Sequence, residues 1–118
     1  MDKILITGAA GFIAYHLLKR ISQKKYQFIL IDNYNRGKND KYFSKLLKKL
    51  TKVKLLKNDL TKPFKIKDKK IKYVFHFAAR LGVKNVISEP SKTLNDNLNM
   101  LVNTLDAVKK FNKKAKFI

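Results

Sequence analysis

The sequence predicts an α/β fold in which a parallel sheet is wound on both faces by helices, and three observations carry that prediction. The first is the stretch Lys3 to Leu18. A short apolar run, Ile4 to Ile6, meets Gly8 and Gly11 and passes into helical spacing at Phe12, Ile13, Leu17 and Leu18, the mark of a buried strand turning sharply into a helix. The second is Phe28 to Ile31, an apolar run of strand type that ends on Asp32. The third is the alternation of strand and helix patterns, with short connections, along all 118 residues. Under the right-handed crossover rule this alternation gives the strand order 3-2-1-4-5.

The elements follow in order. Strand one is read at Lys3 to Thr7, helix one from Gly11 to Gln23, and strand two at Gln27 to Asp32. Asn33-Tyr34-Asn35-Arg36-Gly37 is a turn-rich loop. Phe43, Leu46, Leu47 and Leu50 recur at three and four residues, one face of a helix whose other face is lysine. Val53 to Leu56 makes strand three. Thr61 to Lys70 is short, charged and interrupted by Pro63, so it reads as a turn or loop rather than a full crossover helix. Tyr73 to Phe77 is strand four, nearly all apolar as a parallel strand covered on both faces should be. It runs into Ala78 and Ala79, small residues where a ligand or backbone can come close. A last long helix opens at Glu89, Pro90 and Ser91, with Ser91 as N-cap and Leu94, Leu98, Leu101, Val102, Leu105 and Val108 as its apolar stripe. Ala115 to Ile118 begins a fifth strand.

The first turn has the chemistry of a phosphate site. Gly8 lets the chain leave the strand tightly, and Gly11 has no side chain to keep a pyrophosphate from the N–H groups at the helix N-terminus, where the dipole favours negative charge. Ala14 is small enough for the helix to pack close to the strand. A dinucleotide site also requires an acid after the second strand, about 20 positions on, to hold a ribose diol. Asp32 fills that position.

Composition bounds the alternatives. The chain is long enough for one domain with a real core, and 45% hydrophobic residues favour folding over disorder. Without cysteine there is no disulfide and no thiolate metal site, and His16 and His76 are too few for a metal cluster. The apolar run from Ile4 is broken at Thr7 and Gly8, so it reads as neither signal peptide nor membrane span, and a cytoplasmic protein is expected. The net charge of +20 raises the question of nucleic acid. The basic residues are nearly all lysine, with Arg20, Arg36 and Arg80 the only arginines, whereas base reading and phosphate clamping favour arginine with interleaved aromatics. Lysines scattered over every surface face are expected to be a solvated exterior that draws in anionic nucleotides.

Taken together, these motifs resemble the NAD-dependent epimerase/dehydratase family, the extended short-chain dehydrogenase/reductases that act on nucleotide sugars. Thr7 to Ala14 is similar to that family's Gly-x-x-Gly-x-x-Gly turn, with Ala14 in place of the last glycine. Ile31-Asp32-Asn33 is similar to its ribose-binding strand end, and Asn58-Asp59-Leu60 to its adenine-side contact. His76-Phe77-Ala78-Ala79 resembles the strand-four signature beside the nicotinamide ribose and pyrophosphate. Glu89 to Ala107 resembles the family helix with its characteristic asparagine, here Asn97, although Met100 and Leu101 stand where Gly-Thr is common.

The resemblance implies a Rossmann domain over residues 1–118. Gly8, Ala10, Gly11, Phe12 and Ile13 would line the pyrophosphate turn, Asp32, Asn33 and Asn35 the adenosine ribose, and Asp59 and Leu60 the adenine. Phe77, Ala78, Ala79 and Asn97 would stand on the nicotinamide side. The Asp32 carboxylate would repel a 2′-phosphate and favour NAD over NADP, with Arg36 keeping the alternative open. The family's Ser/Thr and Tyr-x-x-x-Lys, in which a tyrosine of lowered pKa takes a proton from a sugar hydroxyl as hydride passes to the nicotinamide, follow strand five. The spacings Tyr15/Lys19 and Tyr34/Lys38 lie on the cofactor helix and the adenosine-side loop and read as chance matches. The expectation is the NAD-binding part of a nucleotide-sugar epimerase or dehydratase, UDP-sugar 4-epimerase type favoured. Its substrate domain would be absent from this chain, which would be inactive alone; the whole enzyme would be a homodimer. A non-catalytic NAD(H)-binding module and a basic nucleic-acid-binding domain are the alternatives.

Overall fold

The computed structural model describes residues 1–21, 25–34 and 40–118. Its elements in chain order are β1 (Asp2–Thr7), α1 (Phe12–Arg20), β2 (Tyr26–Asp32), α2 (Lys41–Lys49), β3 (Val53–Lys57), β4 (Ile71–His76), α3 (Val83–Ser88), α4 (Pro90–Lys109) and β5 (Lys116–Phe117). The five strands form one parallel sheet in the order 3-2-1-4-5, as the alternation predicts.

Side-chain alternation along the central strands divides the core into two layers. Ile4 and Ile6 of β1, with Phe28 and Leu30 of β2, point to the face covered by Ala14 and Leu18 of α1 and Phe43 and Leu46 of α2. Leu5, Ile29 and Ile31 point the other way, into a layer closed by Leu60 and Ile66 of the β3–β4 crossover and by Met100, Ala107 and Val108 of α4. The crossover segment contains no helix, as expected from its charge and Pro63. Asn112 fixes its far end: its side chain donates to the Asp68 carbonyl and accepts from the Ile71 N–H, so a buried amide stands in for missing backbone partners.

Several boundaries differ from the sequence reading. β4 begins two residues early, at Ile71, and ends at His76, so Phe77 lies just past the strand. α1 closes at Arg20 with Ile21 as its cap, and the expected end at Gln23 falls outside the described residues. The short helix α3 has no counterpart in the sequence reading. α4 starts at Pro90 with Glu89 as N-cap, so Ser91 is not the cap. Proline is accommodated at the first helical position, where its missing N–H is not needed.

The larger correction concerns the α4 stripe. Leu94 is 69% exposed and Leu98 53%, and Val102 and Leu105 are exposed as well. Val108 of the expected stripe is buried, and the rest of the face turned to the sheet is Thr93, Met100, Thr104 and Ala107. Small side chains allow close approach to the strands, and the Thr104 hydroxyl is satisfied by donating to the Met100 carbonyl. The leucines thus form a second apolar face, turned away from this core.

The charge is not scattered evenly either. Residues 41–72 hold thirteen lysines against Asp59 and Asp68, whereas residues 73–108 balance Arg80, Lys84 and Lys92 against Glu89, Asp96 and Asp106. The stretch from α2 to the start of β4 is strongly basic and the stretch from β4 through most of α4 is neutral, while Lys109, Lys110, Lys113, Lys114 and Lys116 form a second basic stretch at the β5 end.

Candidate functional site

The site is built where the C-terminal ends of β1, β2 and β4 meet. β1 ends on Thr7 and the chain turns at Gly8 with φ of 65°, a left-handed conformation that glycine adopts without strain. A Cβ at Gly8 would lie 2.7 Å from the Ala78 nitrogen and from the Phe77 carbonyl carbon, so the turn is pressed against the backbone that leaves β4. Gly11 has an ordinary extended backbone, φ −83°, and a Cβ there would meet the Gly8 carbonyl at 3.1 Å. Ala14 is fully buried under the first turn of α1, where its small size lets the helix seat on the strand.

Several amides of the turn are already engaged. Ala9 N–H donates to the Ile31 carbonyl, Gly11 N–H to the Gly8 carbonyl, and Ala10 N–H to Asp32 Oδ2 at 2.9 Å. The other Asp32 oxygen accepts from Tyr34 N–H at 2.7 Å. Asp32 therefore ties the end of β2 to the glycine turn, with one lone pair on each oxygen already used. No side chain caps α1, which leaves the amides of Phe12 and Ile13 at an open, positive helix end. Phe12 and Ile13 themselves are largely exposed beside it.

On the β4 side, Thr7 is wholly buried and fixes the partner backbone: its carbonyl accepts from Phe77 N–H and its hydroxyl oxygen from Ala78 N–H. The same hydroxyl shares a hydrogen bond of 2.8 Å with His76 Nδ1, whose direction follows the imidazole tautomer. Burial holds the His76 pKa below the usual imidazole range. His76 is half-buried, with its Nδ1 engaged by Thr7 and its ring beside Phe117. His16 packs edge-on against Phe12 and Tyr15.

Beyond Ala79, which is exposed, Asn97 clamps the loop: its Oδ1 accepts from Arg80 N–H at 2.6 Å and its Nδ2 donates to the Arg80 carbonyl at 3.3 Å. The Arg80 guanidinium adds ion pairs to Asp96 and Glu89, and its hydrogen bond holds the Asp96 carboxyl below the ordinary range. At the end of β3, Asp59 accepts from both the hydroxyl and the N–H of Thr61, which lowers its pKa. Leu60 turns its side chain into the core, and its carbonyl is held by Asn103 Nδ2.

Gly8, Ala10, Gly11 and Asp32 are joined by direct contacts, as are Gly8, Phe77 and Ala78, while Asn97 reaches the neighbouring loop through Arg80. Asn33 is exposed just after Asp32; Asn35, Arg36 and Lys38 lie outside the described residues. Tyr15 and Lys19 make a cation–π contact along α1, an i,i+4 pair explained by the helix alone. Thr7, Arg80, Asn103 and Asn112 were missed as positioning residues. Arg80 offers a signal, as one of three arginines with two acids downstream; a buried threonine hydroxyl, the α4 asparagine Asn103 and Asn112 beyond that helix offer none.

Among the described residues no group of His, Asp and Glu could hold a metal ion, and no helix is long and apolar enough to cross a membrane. A doubly wound parallel sheet with a glycine turn at its switch point, an uncapped helix end and an acid on the next strand defines a dinucleotide-binding domain of Rossmann type. The NAD dependent epimerase/dehydratase family model matches residues 4–118, and the chain belongs to that family. It is 28% identical to the putative UDP-glucose 4-epimerase of Methanocaldococcus jannaschii, over 92% of this chain and 34% of that protein. Identity is 31% to the UDP-N-acetyl-alpha-D-glucosaminuronate decarboxylase of Bacillus cytotoxicus, over 98% of this chain and 35% of that one. The solved UDP-glucose 4-epimerase of Bifidobacterium longum, in complex with NAD+ and UDP, superposes with a TM-score of 0.75 at 27% identity, over 94% of this chain and 34% of that chain. The chain spans about a third of the length of the curated relatives it matches.

The half-buried His76 generates a pH dependence. Unfolding raises the imidazole to its ordinary pKa near about 6.5, so below that pH the unfolded chain binds a proton that the native one does not, and stability falls as pH drops. Urea unfolding between pH 7.5 and 5 is expected to show this loss. In His76→Asn the slope over the same interval is expected to be smaller; an unchanged slope would show that His76 is not its source.

Proposed function

We propose that residues 1–118 form the NAD-binding domain of a nucleotide-sugar epimerase or dehydratase, UDP-sugar 4-epimerase type favoured, with substrate binding and catalysis supplied by residues outside them. The observation that carries this reading is Asp32, buried at the end of β2 and bonded to Ala10 of the glycine turn, which suits a carboxylate that would hold the ribose diol beside the pyrophosphate turn. The residues present suit such a group: Gly8 and Gly11 keep the turn open, and the N–H groups of Phe12 and Ile13 face outward for phosphate oxygens. NAD would supply the hydride acceptor.

Each part of the chain has a task in that reading. The free lone pairs of Asp32 accept from the two hydroxyls of the adenosine ribose, assisted by Asn33 and Asn35, and its charge disfavours a 2′-phosphate. The Asp59–Leu60 turn borders the adenine with its backbone. Phe77, Ala78 and Ala79 form the nicotinamide-side wall, held in place by Thr7 from below and by Asn97 through Arg80 from beside. The family's Ser/Thr and Tyr-x-x-x-Lys have no counterpart here in the family's order, so this chain alone binds cofactor without turnover. A cytoplasmic setting fits a chain without cysteine.

The whole enzyme is proposed to be a homodimer whose interface includes the outer face of α4. Its support is the exposed row Leu94, Leu98, Val102 and Leu105 in a region of zero net charge, the depletion of charge that interface cores show. In the protein that carries this domain, Leu98→Glu with Val102→Glu is expected to shift sedimentation from dimer to monomer. A dimer that persists would place the interface elsewhere.

Calorimetric titration tests the cofactor reading. The chain is expected to bind NAD and to prefer it to NADP. In Asp32→Ala, loss of two charge-assisted hydrogen bonds is expected to weaken NAD binding by about tenfold or more, with circular dichroism unchanged. Equal affinities for the folded variant and the parent would overturn the assignment of Asp32.

A further inference from the structure

We propose that the β3 half of the molecule is a docking surface for the phosphate backbone of nucleic acid, engaged without reading base sequence. The net charge of +20 is unevenly distributed: residues 41–72 carry +11 of it, residues 73–108 carry none, and residues 109–118 carry +5. All thirteen lysines of residues 41–72 are solvent-exposed. Lys54 with Asp68 and Lys72 with Asp2 are the ion pairs they make among the described residues, so most of this charge has no internal partner.

The fold gathers the lysines of α2, β3 and the crossover around one edge, while Lys70 lies beside Lys110, Lys113 and Lys114. α2 lies on one face of the sheet and presents Lys45, Lys48 and Lys49; β3 is the edge strand and presents Lys57; the crossover on the opposite face presents Lys65 and Lys67. A belt of flexible ammonium groups that wraps an edge suits a rod of regularly spaced phosphates, to which lysine binds as a point charge. No arginine stands in residues 41–72, so the planar fork that reads guanine edges is missing and the contact is indifferent to sequence. A lipid surface is the weaker match. Anchoring there calls for apolar groups beside the charge, whereas the largest run of exposed apolar residues, from Leu81 through Leu105, lies on the neutral half.

Fluorescence anisotropy with a labelled 20-base-pair DNA duplex of mixed sequence, titrated with the 118-residue chain over 50 to 300 mM KCl, tests this. Saturable binding is expected, with a logarithmic salt slope of about −0.9 per phosphate engaged. Two variants of equal charge change separate a docking surface from net charge. Lys45, Lys49, Lys57 and Lys65 changed together to Glu should weaken binding at least about tenfold, whereas Lys84, Lys92, Lys109 and Lys116 changed to Glu should weaken it less than about threefold. The same four belt positions changed to Gln, with circular dichroism recorded on each variant, guard against loss of fold. The proposal is overturned if duplex does not bind at 50 mM salt, which would leave the lysines as protection of the β3 edge against pairing. Equal weakening by both Glu sets also overturns it, as does tighter binding to phosphatidylserine vesicles than to duplex.

Discussion

At Gly8 two backbones come closer than any side chain would permit, and the C-terminal end of the sheet is arranged around that approach. A single Cβ would meet Ala78 and Phe77 at 2.7 Å, both of them backbone atoms that cannot rotate aside. The closeness brings the Thr7 hydroxyl within reach of the Ala78 N–H and places the glycine turn beside the wall that follows β4. From the other side, Asp32 grips the same turn through Ala10. The turn is thus held by β2 and β4 at once, and the open end of α1 is fixed between them. Preorganisation of this kind reduces the ordering that a bound dinucleotide would otherwise impose.

Much of this was legible in the sequence because the signals are local. Gly8, the apolar run from Phe28 to Ile31 and the acid at Asp32 each announce their structure within a few residues, and alternation with right-handed crossovers leaves one strand order. The failures involve longer range. The α4 stripe was assigned to the core because leucines at helical spacing usually face it, yet Thr93, Met100, Thr104 and Ala107 are the ones that meet the sheet. Sequence periodicity marks two faces on such a helix without saying which neighbour each one meets. Among the α4 asparagines the resemblance singles out Asn97, which grips Arg80, whereas nothing in the sequence separates Asn103, which holds the Leu60 carbonyl, from the exposed Asn95.

Charge and apolar surface divide the molecule in the same way. The neutral half, α3 and α4, exposes Leu81, Val83, Val86, Ile87, Leu94 and Leu98, while the β3 half is covered in lysine. Uncompensated charge of one sign opposes burial against another surface of similar composition, so protein contacts are directed to the neutral half and polyanions to the basic one. The proposed dinucleotide site lies at the strand ends, where a net positive charge would favour an anionic cofactor.

The location of that site is the central claim, and amide chemical shifts on titration with NAD test it most directly. A 15N-labelled chain should show its largest shifts at Gly8 through Ile13, at Asp32 to Tyr34 and at Phe77 to Ala79, with saturation common to all three groups. Shifts confined to the lysines of α2 and β3, or no saturable shifts in a folded chain, would contradict the account.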